Sequence, residues 1–334
     1  MTAALLVARD SRAWDRYIAG ASDGSILQSW GWGELKRHYG WQPSRYFWER
    51  DGIVQGGISV LRRPIAGGFA LDYAPHGPVL DGNLREWPAF WSALREELAV
   101  GRGTILRIEP QWKPDDTWIL QETGARSTEP IQHPATAIVD LVGGEAVFAR
   151  MSASARRNMR RAEQAGVRVE MISDASAVDC LHHLLEETAR RQRFISRSRE
   201  YYRDVLQAFA HSSIYVAQHA GQPIAASMMI QYGKRLVYLF SGSSDEGRAL
   251  KAPYLIQQQA IRDGQAAGCT SYDLWGIPID AKPGDAGWGY AHFKTMLGGV
   301  PLEFGGAWDL PIRRPLAVAY HFAERMLVHS RAAA

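Results

Sequence analysis

Two stretches decide the fold: Tyr46-Phe-Trp-Glu-Arg-Asp-Gly-Ile-Val-Gln-Gly-Gly-Ile58 and Tyr215-Val-Ala-Gln-His-Ala-Gly-Gln-Pro-Ile-Ala-Ala-Ser227, in step at an offset of 169 residues. Each reads as a strand, a tight Asp-Gly or Ala-Gly turn, and a second strand entered through two small residues. A third strand follows in both places, Gly68-Phe-Ala-Leu-Asp-Tyr73 and Arg235-Leu-Val-Tyr-Leu-Phe240. Next comes a helical stretch, Trp87 to Val100 and Pro253 to Ala267, and then a strand closed by proline, Ile105–Pro110 and Tyr272–Pro278. One strand–strand–strand–helix–strand unit therefore occurs twice, which predicts two similar domains.

The class is α/β (α+β), with two tandem units of mixed sheet flanked by helices. Antiparallel hairpins followed by a helical crossover are the core order of the GNAT acyltransferase fold. Val142-Gly-Gly-Glu-Ala146 separates the halves, which places domain 1 at 1–145 and domain 2 at 146–312. An arginine-rich helix is expected from Ala146 to Ala165, ended by Gly166. Residues 313–334 read as an amphipathic helix that packs back onto the first domain.

The 334 residues fit about two domains, and 46% hydrophobic against 22% charged residues is the balance of a globular chain with a full core. No apolar run reaches the length of a membrane-spanning helix, and no leader peptide is read at the start. Two cysteines, Cys180 and Cys269, are too few for a disulfide framework or a thiolate metal site, so a cytoplasmic setting is expected. Of 38 basic residues only six are lysines, so a lysine at a chosen place carries more information than an arginine.

Nucleotide-loop, dinucleotide, zinc-protease and serine-hydrolase motifs are missing. No metal or cofactor is expected; His182 and His183 face different ways on one helix. Between Val147 and Arg168, six arginines (Arg150, Arg156, Arg157, Arg160, Arg161 and Arg168) stand against Glu163 alone. The pairs Arg156/Arg160 and Arg157/Arg161 are four apart, a concentrated basic face that suits a polyanion or a solvated surface equally. Ile195-Ser-Arg-Ser-Arg-Glu-Tyr-Tyr202 sets guanidinium groups beside two phenols at a helix start, a means of holding phosphate and sugar. In His292-Phe-Lys-Thr-Met-Leu-Gly-Gly299 a lysine lies in an apolar segment, where burial without a counter-charge is costly. It reaches solvent, or it meets a negative substrate or a developing oxyanion.

The chain resembles the FemABX family, the aminoacyl-tRNA-dependent transferases that build peptidoglycan cross-bridges. The resemblance runs through Leu27-Gln-Ser-Trp-Gly-Trp-Gly-Glu-Leu-Lys36, Tyr73-Ala-Pro-His-Gly-Pro-Val-Leu-Asp81 and Arg156–Val167. It continues through Arg197–Tyr202, Tyr272-Asp-Leu-Trp-Gly276, Phe293-Lys294 and Gly305–Pro311. It implies two GNAT-like domains and transfer of an amino acid from aminoacyl-tRNA to a stem-peptide amine, on a UDP-MurNAc-peptide or on lipid II. No heptad segment is present for a helical arm, so the armless type is the match. The resemblance implies that Lys36 and Arg197 grip the acceptor's nucleotide or pyrophosphate, with Tyr201 beside the arginine. Tyr73, Tyr238 and Phe293 join them as substrate-binding positions. Lys294 is implied as the lysine near the reacting ester, Asp81 as a proton acceptor, and Arg156, Arg157, Arg160 and Arg161 as the tRNA-binding face. His76 departs from the pattern, standing where an arginine is expected. Membrane contact is implied only through a lipid-linked acceptor at the inner face of the plasma membrane.

Two other readings stay open. An acyl-CoA-dependent GNAT enzyme would show a glycine-rich pyrophosphate turn, which neither Ser241–Arg248 nor His76–Asp81 supplies. A non-catalytic RNA- or nucleotide-binding module would share the basic face without turnover.

Overall fold

The computed structural model describes residues 3–65, 69–80 and 87–320. The chain forms two compact units, one of residues 1–134 with 303–334 and one of 135–302.

The first unit opens with β1 (Ala3–Val7), α1 (Ser11–Gly20) and α2 (Trp30–His38). The strands β2 (Gln42–Arg50), β3 (Ile53–Ile65), β4 (Phe69–His76) and β5 (Val79–Leu80) follow. After α3 (Pro88–Val100) come β6 (Ile105–Pro110), α4 (Trp118–Glu122) and β7 (Arg126–Thr128). The sheet is completed from far along the chain by β15 (Ala307–Pro311), giving the order β1-β2-β3-β4-β6-β15-β7 with β5 on β3. The β2–β3 turn, Asp51-Gly52, has both residues at positive φ, 48° and 81°. That is the geometry that matches the twist of a two-residue hairpin. One core lies under α3, where Phe90, Trp91, Leu94 and Leu98 recur at helical spacing and pack on Val60, Ala74, Leu106 and Ile108.

The second unit repeats the plan. It comprises β8 (Ala135–Asp140), α5 (Ala146–Ala149), α6 (Ala153–Gln164), β9 (Arg168–Ile172), α7 (Ser176–Gln192) and α8 (Arg199–Ala208). Then come β10 (Ser212–His219), β11 (Gln222–Tyr232), β12 (Arg235–Ser243), α9 (Asp245–Ala249) and α10 (Ala252–Ala266). It ends with β13 (Ser271–Ile277), α11 (Trp288–Met296) and β14 (Val300–Glu303), in the sheet order β14-β8-β13-β12-β11-β10-β9. Its hairpin turn, Ala220-Gly221, likewise has both residues at positive φ, 48° and 77°. α6 presents Ala155, Met159 and Ala162 to a core shared with Leu255, Ile256, Ala260 and Ile261 of α10.

Two sequence expectations change here. The units divide at Pro134/Ala135 and Leu302/Glu303, ahead of 145 and 312, because β8 pairs with β13 while β15 pairs with β6. The expected helix from Ala146 to Ala165 is two helices broken at Arg150–Ser152, where Ser152 Oγ accepts from the Ala155 N–H and caps α6. Residues 314–320 are helical, and Arg313 donates to the Ala99 carbonyl at 2.8 Å within the first unit. Residues 321–334, the rest of the expected terminal helix, lie outside the described residues. No described helix is long and apolar enough to cross a membrane.

α7 lies directly on β12. A Cβ at Gly242 would come 2.4 Å from the Leu184 carbonyl carbon and the Leu185 nitrogen, both backbone atoms that cannot step aside. Gly242→Ala should therefore cost about 3 kcal/mol in urea unfolding. Gly20→Ala, with open space around its Cβ, should change stability by less than about 1 kcal/mol. Equal effects from the two would refute the contact.

Candidate active site

The two sheets differ where their central strands run parallel. In the first unit β4 and β6 pair through six positions, from Leu71–Ile105 to His76–Pro110. In the second, β12 and β13 pair only from Arg235–Ser271 to Val237–Asp273. Beyond that point β12 stays with β11 as far as Ser243, and β13 with β8 as far as Ile277. The sheet forks, and irregularities mark the parting: β11 shifts register at Met228/Met229 and β13 at Asp273/Gly276.

The β13 irregularity has a visible cause. Trp275 takes φ +67°, a conformation disfavoured for a bulky residue. Asp273, 3% exposed, holds it: the carboxylate accepts from the Trp275 N–H at 2.8 Å and from the Thr136 hydroxyl at 2.5 Å. With the backbone turned this way, the Trp275 and Gly276 carbonyls accept from Lys294 Nζ at 3.1 and 2.8 Å. Lys294 reaches in from α11 and is 7% exposed. Burial pulls its pKa down to about 8, and Asp273 partly opposes that pull.

Aromatic rings surround the amine. Its nitrogen lies 5.9 Å from the Tyr238 ring centre and 5.2 Å from that of Tyr290. Burial raises the Tyr238 pKa, while hydrogen bonds with the Ser241 and Ser227 hydroxyls lower it. Phe293 turns aside and packs edge-on against Tyr254, ring centres 4.8 Å apart. This arrangement can hold an ammonium in a dry, aromatic site with two of its three N–H groups already fixed.

Arg197 is exposed, its guanidinium 5.6 Å from the ring centre of Tyr201. Burial pushes the Tyr201 phenol up to about 12, with Arg197 countering. The expected tRNA face is smaller than the sequence suggests. Arg156 turns back to the Phe148, Ala149 and Met151 carbonyls, satisfying the end of α5. Arg157, Arg160 and Arg161 remain exposed on α6.

In the first unit, Lys36 Nζ lies 4.6 Å above the Trp32 ring one turn earlier. The Trp41 N–H donates to the Lys36 carbonyl, and the Trp41 ring lies 6.2 Å from that of Tyr73. Tyr73 is buried, accepts from Gln132 Nε2 at 2.9 Å and interacts with Glu109. The Glu109 carboxylate accepts from the Ile131 and Gln132 N–H groups, and burial raises its pKa. His76 is absorbed by packing: Nδ1 lies 2.9 Å from Ser25 Oγ and 3.1 Å from Gln111 Nε2, with the ring against Phe304. Asp81 lies outside the described residues.

The structure thus gathers Lys294 and Tyr238 at one place, Arg197 and Tyr201 at another, and Lys36, Trp41 and Tyr73 at a third. Sequence reasoning missed Asp273, Thr136 and Tyr290. The Tyr272-Asp-Leu-Trp-Gly276 stretch carried the signal, because an aspartate two residues before a tryptophan can bond its N–H.

The acetyltransferase (GNAT) domain family matches residues 149–295, inside the second unit. The UDP-N-acetylmuramoylpentapeptide-lysine N(6)-alanyltransferase of Weissella viridescens is 25% identical over 90% of this chain and 94% of its own. The lipid II:glycine glycyltransferase of Staphylococcus aureus (strain USA300) is 21% identical over 90% and 91%. In three dimensions the crystal structure of FemX superposes with a TM-score of 0.85, at 19% identity, over 95% of this chain and 98% of that one. The expected tandem GNAT-like architecture is the one found, and the homologues of this chain are Fem-family transferases.

Proposed function

We propose that the chain transfers an amino acid from aminoacyl-tRNA to the stem-peptide amine of a peptidoglycan precursor. The observation that carries this reading is the forked second sheet with Lys294 held inside it by two main-chain carbonyls. The named homologues support the acceptor class, since one is a UDP-MurNAc-pentapeptide-lysine alanyltransferase and another a lipid II glycyltransferase.

The chemistry needs little covalent help. The neutral acceptor amine attacks the ester carbonyl and forms a C–N bond. The tetrahedral intermediate collapses, the ester C–O bond breaks, and the ribose hydroxyl leaves with the proton lost by the amine. Lys294 gives its third N–H to the oxyanion, where a low-dielectric setting strengthens the interaction. Trp275 and Gly276 fix its position beforehand, so no reorganisation is needed at the moment of reaction. Arg157, Arg160 and Arg161 meet the tRNA backbone. Lys36 beside Trp32, and Arg197 beside Tyr201, each offer a cation and a ring to the acceptor's nucleotide and pyrophosphate.

The GNAT match gives a second reading, acyl-CoA as donor. Against it, Pro253 in the first turn of α10 removes one N–H from the helix start that would face a pyrophosphate.

The test is a mass-resolved assay with charged tRNA and UDP-MurNAc-pentapeptide or the lipid-linked precursor, with RNase-treated and acetyl-CoA arms. A gain of one aminoacyl residue that disappears with RNase is expected. Acetylation alone would move the assignment to the second reading.

A further inference from the structure

Ile195 is 96% exposed, the most exposed large apolar side chain recorded among the described residues, and its neighbour Phe194 is 47% exposed. They form the tip of the connection from α7 to α8, where Arg193 ends α7 in the left-handed conformation. The loop is tied from beneath. The hydroxyl of buried Tyr202 accepts from the Arg197 N–H at 3.1 Å and lies 3.0 Å from Ser196 Oγ. A loop pinned on its inner side thus turns its apolar residues outward.

The charge within the loop itself is one-sided, with Glu186, Glu187 and Glu200 just outside it. From Thr188 to Arg199 there are five arginines and no carboxylate. Arg191 pairs with Asp245 and Arg199 with Asp179, while Arg190, Arg193 and Arg197 are exposed. An apolar tip flanked by three exposed guanidinium groups suits a bilayer interface: the side chains enter the acyl boundary and the cations meet anionic headgroups. An apolar protein groove would strip water from those arginines without a counter-charge. A nucleic acid would satisfy the arginines and leave Ile195 and Phe194 in water.

We propose that the Phe194–Ile195 tip seats the second unit on an anionic bilayer, and that the acceptor is taken there in its lipid-linked form. Arg197, two residues beyond Ile195, then lies at headgroup depth, where the pyrophosphate of a lipid-linked precursor is held. The choice of acceptor rests on the function proposed above; the seating does not. This contact is the protein's own, beyond the one through the acceptor that the family resemblance implies.

The experiment floats the intact protein with phosphatidylcholine vesicles, with or without phosphatidylglycerol, and compares it with a Phe194→Ser/Ile195→Ser variant. Both positions are open to solvent, so the variant folds, which thermal unfolding checks. The wild type should bind the anionic vesicles only, less at high salt, and the variant at least about tenfold more weakly. Transfer to soluble UDP-MurNAc-pentapeptide should be equal for both proteins, and transfer to lipid-linked precursor in anionic vesicles should fall with binding. Wild type that stays unbound, that binds RNA instead, or that binds no better than the variant overturns the seating. Equal losses on soluble and lipid-linked acceptors overturn the lipid-linked assignment. Transfer to neither acceptor overturns the function and acceptor readings together, and flotation alone then decides the seating.

Discussion

Replacing Lys294 with methionine lowers aminoacyl transfer about 10²–10³-fold, the usual loss when one oxyanion donor is removed, while the protein stays folded. Two opposing terms keep the stability change small. The Lys294 pKa is about 8 in the folded chain, against 10.5 for an ordinary lysine. Between those values the folded state releases a proton that the unfolded chain retains, so this group's contribution to stability rises with pH across the window. At neutral pH the buried charge costs on the order of 3 kcal/mol. Methionine removes that cost but leaves the Trp275 and Gly276 carbonyls without their donor, at roughly 1–3 kcal/mol each. The melting temperature should move only a few degrees, separating lost chemistry from unfolding. Wild-type turnover should fall as pH rises through about 8, where the ammonium is lost. Asp273→Asn keeps an acceptor for the Trp275 N–H but removes the charge that holds the proton on Lys294, so that fall should move to lower pH. A methionine variant retaining a tenth of the activity would remove Lys294 from the oxyanion role.

A large stability loss is expected at Asp309→Ala. Asp309 on β15 is fully buried and pairs with Arg107 on β6 through two hydrogen bonds of 2.8 Å. Truncating it takes the paired carboxylate from a guanidinium at 6% exposure, which also donates to Thr128 Oγ1 at 3.3 Å, a change that costs about 3 kcal/mol. That is a large share of the roughly 5–15 kcal/mol that separates folded from unfolded domains. Urea unfolding followed by tryptophan fluorescence reads it. Arg107→Met/Asp309→Leu should recover most of the loss, because the penalty lies in a buried charge that has lost its carboxylate. A loss below about 1 kcal/mol for Asp309→Ala would mean that water reaches Arg107.

The repeat was legible because hairpins are local. Asp51-Gly52 and Ala220-Gly221 announce their turns within two residues, and the strands beside them follow. The domain edges were not, because β8 and β15 choose partners far away in sequence. Nothing in Ala135–Asp140 says that it belongs with β13. At the site, Lys294 stood out as a lysine too costly to bury idly, and it is buried. Its clamp was hidden because it depends on one irregularity in β13 and on Thr136 from a strand assigned to the wrong half. Helical spacing placed Arg156 with Arg160, but spacing does not show a guanidinium turning back to cap the preceding helix.

β15 enters the first sheet between β6 and β7, and it alone bridges them. During synthesis the second unit is contiguous and can close once its last strand leaves the ribosome, while the first still waits for residues 307–311. The order of maturation therefore runs against the order of translation: the unit begun first is finished last. A released chain ending between residues 303 and 306 would carry a finished second unit and a first sheet lacking the strand between β6 and β7, open to any strand able to fill the gap.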